Sequence, residues 1–235
     1  MMKRILGATG ALLLTVAFAA PAHAFPVLDF STGLAGAGGT ITLYSDGTVS
    51  GSGIPIGALL YDPTASAGDD TTYIVTGQAD IDGNGFPDNA GALNFATGGL
   101  SGSNFIEIKG CVAALGLGTA ACPSPLTLLT GTISSYDTTK ANQGLVSASG
   151  IDEKNADLLR ALNIPTDTPF AFFGFSLVSG SGLVITPPSQ TATGQAVSTD
   201  IRNTAVPEPA SMLLFGSGLV GLAGMARRRY RQAKR

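Results

Sequence analysis

The stretch "DIDGNGFPDN", residues 80–89, places oxygen-bearing side chains at alternate positions. Asp80, Asp82, Asn84 and Asp88 each offer a hard ligand, and the Phe86 carbonyl supplies one more. Gly85 stands where a tight cation loop needs its sharp turn, and a cage of this kind suits Ca²⁺. The same residues also fit a hydrogen-bonded Asx/Gly turn between two strands. Turn chemistry accounts for Gly83 and Asn84 but does not call for three aspartates. Both readings stay open on the sequence, with calcium as the candidate cofactor.

Other reactive groups are few. Cys111 and Cys122 are the only cysteines, and His23 is the only histidine. An even cysteine count favours a disulfide between the two if the chain reaches an oxidising compartment. Without a histidine in the body of the chain there is no Ser-His-Asp or Cys-His constellation. The glycines of "GLAGAGGT" lack the Lys-Ser/Thr and the strand–helix context of a phosphate loop. The adjacent acids Asp69-Asp70 and Asp152-Glu153 read as solvated surface pairs. The protein is therefore expected not to be an enzyme.

The cation stretch resembles the D-x-D-x-N-G calcium loops of EF-hands, dockerins and thrombospondin-type repeats. It departs from the EF-hand at the twelfth position, where Gly91 replaces the bidentate glutamate, and no flanking helices are evident.

The elements that must position these groups read as strands. "GTITLYSDGTVSGSGI", "DTTYIVTGQA", "ALNFATG", "NFIEIKG", "LTLLTGTISSY", "FAFFGFSLVSG" and "SGLVITP" alternate apolar and polar residues between Gly, Asp, Asn or Pro. Such strands suit a sandwich or a barrel, and an all-β, β-sandwich or jelly-roll-like passenger domain is expected over residues 25–186. One helix is expected in "EKNADLLRALNI", capped by Asp152, with Ala156, Leu159, Leu162 and Ile164 as its apolar stripe. Residues 187–205 are polar and read as a linker. Between residues 25 and 206 five basic residues face fifteen acidic ones, a formal charge of −10. That excess excludes nucleic acid as a partner, since its binders need a basic face.

The ends specify a route. Lys3 and Arg4, the apolar run "ILGATGALLLTVAFAA" and Ala22-His23-Ala24 form a signal peptide over 1–24, cut by signal peptidase between Ala24 and Phe25. At the other end Val206, Pro207, Glu208 and Pro209 precede an uncharged run, 210–226. As a transmembrane helix that run would span roughly 25 Å. Arg227, Arg228, Arg229 and Arg231 in the basic tail 227–235 would hold its end in the cytoplasm. Everything between the two ends is placed across the inner membrane.

This three-part tail, 206–235, resembles a PEP-CTERM sorting signal. The resemblance implies recognition by an exosortase in Gram-negative bacteria that make exopolysaccharide, with Pro207, Glu208 and Pro209 as the recognised element. It also implies transient membrane attachment, a cell-surface or extracellular destination after processing, and Ser/Thr glycosylation. Passengers of this family vary, so the tail implies no particular activity. The expected role is structural or adhesive in an exopolysaccharide or biofilm layer. The alternatives are a calcium-dependent glycan-binding module and a carboxylate-based polysaccharide enzyme. The chain has no Trp, which leaves Tyr44, Tyr61, Tyr73 and Tyr136 for stacking on sugars.

Overall fold

Period-two alternation of burial runs through the chain, as it must when one face of each strand is dry and the other wet. The computed structural model describes residues 27–63, 68–79, 89–168 and 170–205. Eleven strands lie among them. They are β1 (Val27–Ser31), β2 (Gly38–Tyr44), β3 (Val49–Ile56), β4 (Ala58–Asp62), β5 (Thr71–Ile74), β6 (Gly91–Ala96), β7 (Phe105–Gly110), β8 (Leu126–Asp137), β9 (Leu145–Lys154), β10 (Phe170–Ser179) and β11 (Thr191–Ala205). A single α-helix among the described residues, α1 (Ala156–Ala161), connects β9 to β10.

The sheet closes on itself. In sequence order β2, β3, β6, β7, β8, β9, β10 and β11 pair antiparallel, and β11 completes the ring by pairing with both β10 and β2. Three of these eight staves are built from two collinear strands. β1 shares β2's edge of β11, with Val27–Ser31 against 200–204 and β2 against 191–196. β4 continues β3, and β5 pairs with β4 as β6 pairs with β3. The link between β3 and β4 is Gly57, whose N–H reaches the Ser31 and Thr32 carbonyls at 3.0 and 3.2 Å. A Cβ there would stand 2.6 Å from the Thr32 oxygen, so the bend needs glycine. Past the end of β5, Thr76 and Cys111 exchange backbone hydrogen bonds of 3.0 and 2.7 Å. They tie that half-stave to β7.

An eight-stave barrel is just wide enough to be filled by side chains. Phe30, Phe95, Phe170 and Phe175 are fully buried, with Leu28, Ile41, Ile54, Leu59, Leu93 and Ile106 around them. Phe95 and Phe175 meet edge-to-face at 4.6 Å between ring centroids. α1 buries Leu158 and Leu159 in the same cluster, at the end of the barrel where β9 stops.

The all-β expectation with one short helix holds, and the topology is barrel-like. Three local expectations do not hold. Residues 191–205, expected as the polar linker's larger part, are the closing strand β11. Its buried positions are Ala196, Thr199, Ile201 and Asn203, and two of these are polar, which disguises the alternation. "SGLVITP" forms no strand. Leu183 is buried there, but its N–H goes to the Ala141 carbonyl at 2.7 Å outside any ladder. The helix is shorter than expected and Asp152 does not cap it. β9 runs on to Lys154, and the Asn155 side chain accepts from the Asp157 and Leu158 N–H groups. Ala156 is exposed, and Leu158 takes the buried place expected for it.

Candidate functional site

The cation stretch starts from a defined base. Ala79 N–H donates to the Ala90 carbonyl at 3.0 Å, so the chain leaves and returns at one point between β5 and β6. Asp80, Asp82, Asn84, Phe86 and Asp88 lie outside the described residues. So do the signal peptide with Ala24 and Phe25, the motif Val206–Pro209, the run 210–226 and the basic tail with Arg227, Arg228, Arg229 and Arg231. Among the described residues no helix is long and apolar enough to cross a membrane.

A different acidic group is on view. In the β4–β5 hairpin Tyr61 pairs with Thr71, so Asp62 and Asp70 flank the mouth of the connection. Asp69 joins them, and one carboxylate oxygen from each lies within 4.8 Å of the others. Asp62 is half-buried; Asp69 and Asp70 are exposed. Three hard oxygens gathered at the ends of β4 and β5 can coordinate a divalent metal such as calcium, with water completing the shell. The sequence pattern marks Asp69-Asp70 as a solvated pair and leaves Asp62 out. The signal that could have found it is a carboxylate on each side of one hairpin turn.

Cys111 and Cys122 are joined, with Cα atoms 5.7 Å apart, as expected. Both are buried. The bond closes the loop after β7, next to the Thr76–Cys111 pairing.

Two further charged groups were not foreseen. On the outer face of β1, Asp29 sits opposite Arg202 in register and beside Asp200. Burial, then the hydrogen bond and charge of Asp200, push the Asp29 carboxyl up to about 7, against the lowering effect of Arg202. Inside the barrel, Lys154 Nζ lies 2.5 Å from Asp152 Oδ1 and 3.0 Å from Asn203 Oδ1. Both charged side chains are 0% exposed. Asp152, expected on the surface, is thus an interior residue. Its place is made by Gly131 of β8, its register partner, where a Cβ would stand 2.8 Å from the Asp152 Cα. The Phe170 ring lies 4.8 Å from Lys154 Nζ. Burial pushes the Asp152 carboxyl up and the Lys154 ammonium down, to about 8, and their mutual attraction opposes both. The clue in the sequence was D-x-K in a strand, a spacing that puts both side chains on one face.

A shallow open depression of about 510 Å³ lies on the β2–β3–β11 surface, lined by Gly39, Thr40, Ser52, Thr193 and Gln195. The tyrosines considered for sugar stacking are not gathered there. Tyr61 and Tyr73 pack on the core, Tyr44 bonds Ser50 at 3.3 Å, and Tyr136 is exposed on β8.

The last strand ends at Ala205, and the segment after it decides the route. Residues 205–229 match the PEP-CTERM protein-sorting motif. The chain thus carries the signal found in exosortase-substrate proteins, which implies membrane-associated sorting, export and a surface or extracellular destination after processing. No curated protein and no solved structure matches the chain.

Proposed function

We propose that this protein is a non-enzymatic structural or adhesive component of the cell surface or exopolysaccharide matrix, exported with its signal peptide removed by signal peptidase and processed by an exosortase. One observation carries the reading. The PEP-CTERM motif begins at residue 205, where β11 ends, so the sorting signal is joined directly to the strand that closes the barrel. A barrel filled by its own side chains and fastened by a disulfide suits a durable surface part better than a catalyst. The formal charge of −10 between the two signals keeps such a part soluble and open to cations. Changing Pro207 and Pro209 to Ala, or neutralising Arg227, Arg228 and Arg229, should leave unprocessed precursor in the membrane. Normal size and release of both variants would refute the route.

A second reading, calcium-dependent glycan binding, is favoured by the Asp62, Asp69 and Asp70 group. A site with so few protein ligands belongs at the weak end, with a dissociation constant of about 10⁻⁴ to 10⁻³ M. Co-sedimentation with the host polysaccharide should then require Ca²⁺ and be lost in Asp62→Asn and Asp69→Asn. Sedimentation unaffected by chelator would leave the structural role alone.

A further inference from the structure

The interior group at the α1 end of the barrel has the parts of a self-modifying site. We propose that Lys154 and Asn203 are joined by an intramolecular amide bond that the folded protein forms itself, with Asp152 as the proton carrier.

The partners are already in place. The Asn203 carboxamide is held by its Nδ2–H, which donates to the Ile201 carbonyl at 3.1 Å. That bond turns Oδ1 toward Lys154 Nζ, 3.0 Å away. Asp152 Oδ1 touches the same amine at 2.5 Å, and Asp152 Oδ2 is buried with no hydrogen-bond partner. Asn203, like the two charged side chains, is 0% exposed. The Phe170 ring covers the amine, and Asp152 is flanked in register by Gly131 and Phe170. Water is therefore kept from the amine, which otherwise would be solvated and protonated.

The chemistry balances without a co-reactant. Lys154 Nζ passes a proton to Asp152 and becomes a neutral nucleophile. The directions in which burial moves the two groups, the acid up and the amine down, both favour this neutral pair. The amine adds to Asn203 Cγ, forming a C–N bond, and the carbonyl oxygen takes the developing charge. Asp152 then gives its proton to Nδ2, the Cγ–Nδ2 bond breaks, ammonia leaves, and Asp152 takes the second proton from Nζ, so that a neutral amide remains. No group is oxidised or reduced. Holding amine and amide in contact replaces a slow bimolecular aminolysis by a positioned unimolecular one.

The bond would serve the architecture. Lys154 ends β9 and Asn203 lies on β11, with β10 between them, so the cross-link spans the strand pair that closes the barrel. The two residues are 49 positions apart, against 11 for the disulfide. A longer closed loop restrains the unfolded chain more. The cross-link depends neither on the sorting route nor on calcium.

The test is mass spectrometry of the purified full chain after reduction of the disulfide. The expected result is an intact mass lower by one ammonia. Trypsin should fail to cut after Lys154 and should give a branched peptide, 141–160 joined to the peptide that begins at Asn203. Asp152→Asn keeps the side-chain volume and should abolish the branched peptide. If that variant does not fold, the branched peptide from the unaltered chain still decides. Quantitative cleavage after Lys154 would overturn the proposal. So would a mass deficit or gain carried by an unbranched Asn203 peptide, which marks cyclisation or deamidation of the asparagine alone.

Discussion

Reducing the Cys111–Cys122 bond is a direct probe of how much the closed loop after β7 contributes to stability. The two cysteines are 11 positions apart. Closing a loop of that size removes freedom from the unfolded chain worth about 3 kcal/mol by the chain-entropy relation. For a chain of this length each kcal/mol moves the melting midpoint by about 2–4 °C, so reduction should lower it by about 6–12 °C. Both sulfur atoms are buried, so the reductant should act only after denaturation, with the freed thiols alkylated or kept reduced on refolding. The assay is a pair of thermal melts followed by circular dichroism, oxidised against reduced. Amide exchange gives a local check, because Cys111 also bonds Thr76 through the backbone. Their N–H groups should lose protection before those of β8 and β9. The double variant Cys111→Ala, Cys122→Ala loses two buried sulfur atoms as well, so its midpoint should lie at or below that of the reduced protein. Coincident melts of oxidised and reduced protein would refute the reasoning.

Three single groups give further expected outcomes. Asp29 has its folded pKa raised to about 7 from an ordinary 3.8, so the native state holds a proton that the unfolded chain has released. Its contribution to stability is full at pH below the ordinary value and is lost as pH rises through about 7. The melting midpoint should therefore fall as pH rises from 5 to 8, and Asp29→Asn should flatten that part of the slope; an unchanged slope would refute it. Asn155→Ala removes the side-chain oxygen that caps α1 at 2.8 Å from the Asp157 N–H, and should cost about 1 kcal/mol in chemical denaturation. Gly131→Ala puts a methyl group against the β9 backbone at Asp152 and should destabilise the protein by about 1–3 kcal/mol, read in the same way.

What the sequence alone determines here is local. Alternation of apolar and polar residues placed β2, β3, β5 to β8 and β10, because a strand with one dry face writes its period into the chain. The tail motif and the cysteine pair were legible for a similar reason: each is a short set of residues whose chemistry needs no distant partner. β11 was not legible, because its inward Thr199 and Asn203 look like linker residues until neighbouring strands supply their partners. Thr32 Oγ1, for example, accepts from the Thr199 N–H at 2.8 Å from 167 positions away. Asp152 reads as a helix cap for the same cause, since its burial depends on Gly131 of β8 and Phe170 of β10 rather than on its own neighbours in sequence. Whether the strands would form a sandwich or close into a ring was likewise undecided by pattern. Both bury one face of each strand, and only the pairing of β11 with both β10 and β2 distinguishes them. The tertiary structure alone brought Lys154 to Asn203. Closure of the barrel shuts water out of the place where the two side chains meet.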